Sequence, residues 1–282
     1  MRARQTEFSA RRFESGIVQI AVLPLPNPRL TPLAPNAVVT VDVALFTVRA
    51  EVPIHQAWQV LLVKPADPAF AGKWSFPGGQ VKLDETFDAA ARRALGTKAG
   101  LDAANWYLEQ LGTFGAPDRD TRGRVVSIAH LALERSEELT LSPGGGIMRA
   151  EWVPVRGLPA ESLAFDHADI LRVAMNRTQS KLRYSWLAFQ LLAETFTLPE
   201  LRAIYAAILD PALERLNTGN FRKAFAPLFA SEVLVPVGRR AAAGRVGRPG
   251  DLYRFTGPVA GTWERELSWH EPERLAATGG AL

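Results

Sequence analysis

Apolar positions follow two regimes along this chain. Up to about residue 160 they come in short runs rich in β-branched residues: 38–48 (VVTVDVALFTV), 58–63, 108–114, 125–133 and 151–155. Each run predicts a strand, with a hairpin or short loop joining the first two. Among them, residues 85–100 carry helical spacing instead, and residues 165–180 predict a second helix with Asp166 as its candidate N-cap. From Tyr184 the period is helical throughout: 185–194, 198–209, then 213–228. Thr197-Leu198-Pro199-Glu200 marks one start, with Thr197 as cap and Pro199 and Glu200 in the first turn. Asn220 is the candidate cap of the third helix. Two short strands, 233–237 and 252–255, then flank a Gly- and Arg-rich loop. The first regime predicts an α/β fold, a mixed sheet packed between helices. The second, three short helices and a basic β-hairpin, predicts a winged helix-turn-helix.

Composition sharpens this picture at three points. A length of 282 residues suggests two domains, and 47% hydrophobic against 22% charged residues describes a soluble chain with a sizeable core. There is no cysteine, which excludes disulfides and thiolate chemistry and fits a reducing, cytoplasmic setting. No apolar run follows the arginine-bearing start MRARQTEFSARR, and none elsewhere reaches membrane-spanning length, so neither a secretory signal nor a membrane partner is expected. Charge is uneven. Residues 181–255 hold eleven basic side chains against six acidic ones, while the whole chain carries +4. Such an excess suits either a solvated face or a polyanion-binding surface. Residues 1–36 read as an N-terminal extension: a β-like run at 17–23, then prolines at 24, 26, 28, 32 and 35 that stiffen a connector. The tail from 259 to 282 reads as frayed.

The candidate chemistry lies in residues 72–101, GKWSFPGGQVKLDETFDAAARRALGTKAGL. Gly79, Glu85, Arg93, Gly100 and Leu101 keep the spacing G-x5-E-x7-R-E-U-x-E-E-x-G-U, and the stretch resembles the Nudix box. Its three clustered glutamates are replaced by Ala94, Thr97 and Lys98. A Nudix hydrolase needs carboxylates on one helix face to hold divalent ions that activate water. Three lost carboxylates and one added cation predict no catalytic residues, no metal and no cofactor here. The glycines can still set the backbone of a Nudix-like α/β/α sandwich over residues 37–165, with 166–183 as a connecting helix.

Binding does not require the lost acids. The loop Asp118-Arg119-Asp120-Thr121-Arg122 resembles a substrate-proximal loop of ADP-ribose-directed Nudix proteins. Arg119 and Arg122 suit diphosphate oxygens, Asp118 and Asp120 suit ribose hydroxyls, and Trp74 and Phe76 could stack on a base. With Glu85 these form the candidate ligand set; a solvated loop of mixed charge and ordinary core packing of the aromatic residues are the alternatives. Lys64 and Lys73 are weaker phosphate candidates, and His167 reads as a helix-start residue.

The second domain, 184–258, resembles the DNA-binding domain of Nudix-related transcriptional regulators of NAD metabolism. The resemblance runs through FQLL at 189–192, FTL at 196–198, Leu201, Tyr205, NFRK at 220–223 and GRP at 247–249 with LYRF at 252–255. It implies a repressor that binds palindromic double-stranded operator DNA as a homodimer and responds to ADP-ribose or a related nucleotide sugar. Thr218, Asn220, Arg222 and Lys223 are the implied recognition residues, and Arg239, Arg240, Arg245 and Arg248 the implied wing contacts. The competing reading is a Nudix hydrolase with an accessory helical domain, drawing acids such as Glu109 or Asp120 from outside the box.

Overall fold

The computed structural model describes residues 37–135, 140–215, 217–240 and 250–257. The expected N-terminal strand at 17–23, the proline connector, the tail and the loop carrying Arg245 and Arg248 lie outside these residues. Within them the first regime forms strands β1 (Val38–Val48), β2 (Trp58–Pro65), β3 (Gly78–Gln80), β4 (Tyr107–Phe114), β5 (Val125–Leu133) and β6 (Ile147–Pro154). The sheet runs β4-β5-β1-β2-β6, with β3 paired to the first half of β1. Only β1 and β5 are parallel, so the sheet is mixed. The join between β1 and β2 includes one helical turn, α1 (Ile54–Ala57).

Side chains on β1 and β5 alternate between two buried faces, as the period of a strand requires. Ala44, Phe46, Ala129 and Leu131 pack towards helix α3 (His167–Tyr184). Val43, Leu45 and Ala132 pack towards Ala91, Leu95 and Ala99 of helix α2 (Phe87–Ala99). Burial on both faces explains the near-continuous hydrophobic sequence of these strands. Helix α2 starts at Thr86, whose hydroxyl accepts the Ala89 amide, and ends on Gly100 at φ 75°, a left-handed cap that suits glycine.

The second regime departs from its helical pattern in two places. Residues 185–194 are not an α-helix. Ser185 is extended and ends α3, residues 186–191 form a 3-10 turn, and Thr195–Phe196 is a short strand, β7. Packing overrides the helical spacing: Phe189 stacks on Phe255 at 4.2 Å and 9°, and Trp186 meets the same ring edge-on. Helix α4 (Leu198–Ile208) then begins with a full capping box between Thr197 and Glu200. The expected helix over 213–228 is broken into a 3-10 turn, α5 (Thr218–Ala224) and α6 (Ala226–Ala230). Pro227 cannot continue a helix started at 218. Asn217, not Asn220, caps α5, accepting the Gly219 amide at 2.7 Å. Strands β8 (Leu234–Arg240) and β9 (Gly250–Phe255) complete a three-stranded sheet in the order β7-β9-β8.

Candidate functional site

The box helix carries a brace, not a metal site. Glu85 accepts the Lys82 amide at 2.8 Å and Arg93 Nε at 2.8 Å, while Arg93 Nη2 donates to Gln80 O at 2.9 Å. The Arg93 contact above all, with the Lys82 amide, holds the Glu85 carboxyl far down, to about 2. Ala94 is buried in an apolar cluster with Val41, Ala90 and Ile128. The Thr97 hydroxyl donates back to Arg93 O at 2.8 Å, and Lys98 reaches over to the Gly145 carbonyl. The Ser142 amide meets Ala99 O at 2.8 Å, so the 142–145 loop closes the end of α2. These residues do not fit a divalent ion. Among the described residues, no group of three or more His, Asp or Glu is placed to hold one.

Beyond the box, the sheet, the 116–124 loop and the start of α3 converge on Asp42. Its carboxylate accepts Ser127 Oγ at 2.6 Å and lies 3.5 Å from both Arg119 Nη2 and His167 Nε2. Burial pushes the Asp42 carboxyl up, but His167, Ser127 and Arg119 outweigh it and hold it below the ordinary range. The Phe76 amide donates to His167 Nδ1 at 2.9 Å, which places the ring proton on Nε2, facing Asp42. Arg119 is only 3% exposed and grips Asp166 bidentately, at 2.9 and 2.7 Å. Asp166 therefore spends its carboxylate on Arg119 and makes no side-chain cap for α3. Gly78 is obligatory at this junction, because a Cβ there would lie 2.3 Å from Asp42 Oδ1 and 2.6 Å from Val41 O.

Arg122 sits differently. Its guanidinium is held by Asp120 through Nε at 3.0 Å and Nη2 at 2.8 Å, and Nη1 meets Asp67 at 2.9 Å. It lies over the rings of Phe70, at 4.8 Å, and Phe165, at 5.6 Å, yet its side chain remains 53% exposed. Phe165 takes φ 55° to present that ring, beside Phe70 at 4.2 Å and His167 at 5.0 Å. Trp74 is half-buried with Lys64 Nζ 4.6 Å above it, Asp118 is exposed, and Phe76 is core, stacked on His167. The candidate ligand residues thus fall into two groups. Trp74, Glu85, Asp118 and Arg122 keep solvent-exposed surface; Phe76, Arg119 and Asp120 are buried. Asp42, Ser127, Phe70, Asp67 and Phe165 were missed, since no local pattern marks residues brought together from distant strands.

Helix α3 runs from this cluster to the second domain. Glu109 on β4 is engaged by Lys181 and Arg177 of α3 and by the Tyr107 hydroxyl. Burial raises the Glu109 carboxyl, and those three groups together bring it below its ordinary range. Further along, Gln179 donates to Ile208 O at 3.0 Å, and Arg156, which follows β6, reaches Ala207 O at 3.3 Å. A side chain of the connecting helix and one of the first domain therefore hold the last carbonyls of α4, where a donor or cation is favoured. A single buried cluster continues from Phe46 and Leu131 through Ile170 and Leu182 to Leu201 and Tyr205.

In the second domain, α4 and α5 pack at Tyr205, Phe221 and Phe225, with ring centroids 4.9–6.1 Å apart. Thr218, Asn220, Arg222 and Lys223 are exposed. Arg222 bonds Tyr253 on β9 through Nη1, at 2.8 Å. Arg239 and Arg240 occupy the last positions of β8, paired with Asp251 and Gly250; their side chains lie outside the described residues. A helix pair packed on a three-stranded sheet whose last two strands form a basic hairpin is a winged helix. Sequence profiles agree: the NUDIX domain matches residues 40–174, and the NrtR DNA-binding winged helix domain matches 188–255. The chain is also similar to an ADPR responsive transcriptional repressor, NtrR, of Acinetobacter baylyi, with 34% identity over 227 residues, 78% of this chain and 83% of the relative. The chain belongs to the NrtR family of Nudix-related transcriptional regulators.

The resemblance extends to three dimensions. The crystal structure of Shewanella oneidensis NrtR complexed with a 27mer DNA matches 82% of this chain and 99% of its own, with a TM-score of 0.65 and 29% identity. A shorter match, to an ADP-ribose pyrophosphatase of Methanocaldococcus jannaschii, has 35% identity over 114 residues, 40% of this chain and 64% of that protein. No helix among the described residues is long and apolar enough to cross a membrane.

Proposed function

We propose that this chain is a cytoplasmic, homodimeric repressor that binds operator DNA through its winged helix and holds ADP-ribose, uncleaved, in its Nudix domain. The observation that carries the reading is the replacement of the box carboxylates by buried Ala94, by Thr97 and by Lys98, in a chain that continues into a basic winged helix. The frame of a phosphate-cleaving site survives without the acids that do the cleaving. Glu109 and Asp120, the acids that could substitute, are already neutralised by Lys181 and Arg177 and by Arg122. A pyrophosphate bound here meets the exposed Arg122, and Trp74 and Phe165 offer aromatic faces to a base. The exposed Asp118 supplies acceptors for ribose hydroxyls. The repressor relative is named as ADPR responsive, which supports the same effector.

The connection between the two activities runs along α3. Its first turn forms the cleft wall, and its last turns hold α4, the helix before the recognition element. A ligand that shifts Phe165, Asp166 or His167 acts on the same rigid element that grips Ile208 through Gln179. Coupling of this kind lowers operator affinity when ADP-ribose binds and, reciprocally, lowers ADP-ribose affinity when operator is bound. The test is thermal unfolding of the full chain with ADP-ribose, with and without Mg²⁺, together with assay of the recovered nucleotide. Stabilisation with intact nucleotide supports the reading; Mg²⁺-dependent formation of AMP establishes the hydrolase instead.

A further inference from the structure

The geometry points to a second task inside the recognition element: we infer that Arg222 is a positioning residue that fixes α5 against the wing strand. The inference rests on the DNA-binding reading above. Phe221 and Phe225 are buried and define the inner face of α5. At 100° per residue, Gly219 and Lys223 then point away from the core, Asn220 lies on one flank and Arg222 on the other. That second flank faces β9. The Arg222 guanidinium lies 4.6 Å over the Phe229 ring and 5.7 Å from the Tyr253 ring, and its Nη1 donates to the Tyr253 hydroxyl at 2.8 Å. Phe229 and Tyr253 meet edge-to-face at 5.3 Å, so the three side chains form one stacked unit joining α5, α6 and β9.

This arrangement narrows the ways in which the guanidinium can meet a base. A guanidinium that recognises guanine does so with two parallel N–H groups in its plane. Here Nη1 is committed to Tyr253 and a face of the plane is covered by an aromatic ring, so the end-on pair is engaged and the Nε–Nη2 edge is left. Tyr253 is 3% exposed and lies on β9, in register with Pro236 and Phe196. Through it, Arg222 sets the angle between the helix that presents Lys223 and Asn220 and the strand pair β8–β9, whose first strand ends with Arg239 and Arg240. Specific binding needs both surfaces in register on one duplex; non-specific binding needs only their charge.

The experiment uses the full chain and two duplexes of equal length: one selected by the wild-type protein from a randomised pool, one of random sequence. Affinities are measured across a salt series for Tyr253→Phe, Arg222→Gln, Arg222→Lys and the Tyr253→Phe/Arg222→Gln double variant. Positioning predicts that each single variant loses about tenfold on the selected duplex, the value of one charge-assisted hydrogen bond. Random-duplex affinity and salt slope stay at wild-type values, Arg222→Lys fails to rescue, and the double variant is no weaker than Arg222→Gln. The inference is overturned if Tyr253→Phe is silent while Arg222→Gln lowers the salt slope by about 0.9 on both duplexes, the mark of one phosphate contact. It is also overturned if both duplexes weaken together with the melting temperature, which is simple loss of fold. A wild-type chain that retains no duplex overturns the DNA-binding reading itself, an outcome visible before any variant is compared.

Discussion

Arg119→Met separates wall from ligand contact more sharply than any other change in the first domain. The arginine is 3% exposed, with two bonds to Asp166 at 2.9 and 2.7 Å and an approach of 3.5 Å to Asp42. Methionine keeps most of the volume and removes the charge, leaving two largely buried carboxylates without their shared partner. Breaking such a pair costs about 3–5 kcal/mol, and the residual exposure of the acids places this case near the low end. For a unit of this size, ~3 kcal/mol lowers the melting temperature by about 6–12 °C. The deficit has a predicted pH dependence. Asp42 is held below its ordinary range in the folded chain, so its stabilising contribution is complete above the unfolded carboxylate pKa, about 4, and is lost as pH falls through the folded value. The wild-type advantage is therefore full at pH 7 and shrinks below about pH 4. Urea unfolding at both pH values measures it, and ADP-ribose should still raise the variant's melting temperature. A variant within about 1 kcal/mol of wild type that no longer responds to ADP-ribose would refute the argument and make Arg119 a diphosphate ligand.

Three further changes test other parts of the account. Gly78→Ala drives a methyl group into Asp42 and the Val41 carbonyl and should lower stability by more than about 2 kcal/mol, read by denaturant midpoint. His130 is fully buried on β5, its Nδ1 3.0 Å from Ile128 O and its Nε2 3.5 Å from Asp88; burial above all holds its pKa below the ordinary value. The unfolded chain then binds the extra proton first, so stability should begin to fall as pH drops below about 6.5, and His130→Gln should flatten that limb in calorimetry. Gln179→Leu removes the donor to Ile208 O while keeping both sites; operator and ADP-ribose should each still bind, but the factor by which one weakens the other should shrink.

How far the sequence revealed this molecule depends on the range of the interactions involved. Strands β1 and β5 were legible residue for residue, because burial on both faces leaves an unbroken β-branched run. The start of α4 was legible because a capping box is local: Thr197 and Glu200 are three residues apart. The Nudix frame and the winged helix were legible as motifs, and both stand in the structure. The wall of the cleft was not. Arg119 meets Asp42 and Asp166 across separations of 77 and 47 residues, and nothing near Asp42 distinguishes it from any acid in a strand. Asp166 has the look of a helix cap and spends its carboxylate elsewhere. Residues 185–194 have helical spacing, but Phe189 stacking on Phe255 and the pairing of β7 with β9 decide otherwise. Asn217 takes the cap expected of Asn220 because Pro227 and the packing of Phe221 and Phe225 fix where α5 begins and stops.

The most direct test of the central claim is one titration. A fluorescent duplex selected by the full chain is held at saturation, ADP-ribose is added in the presence of Mg²⁺, and anisotropy is followed while the nucleotide is recovered for analysis. A sensor that binds without cleaving predicts a saturable fall in anisotropy, with ADP-ribose recovered intact at the end. Unchanged anisotropy, or a fall that reverses as AMP and ribose phosphate accumulate, would contradict it.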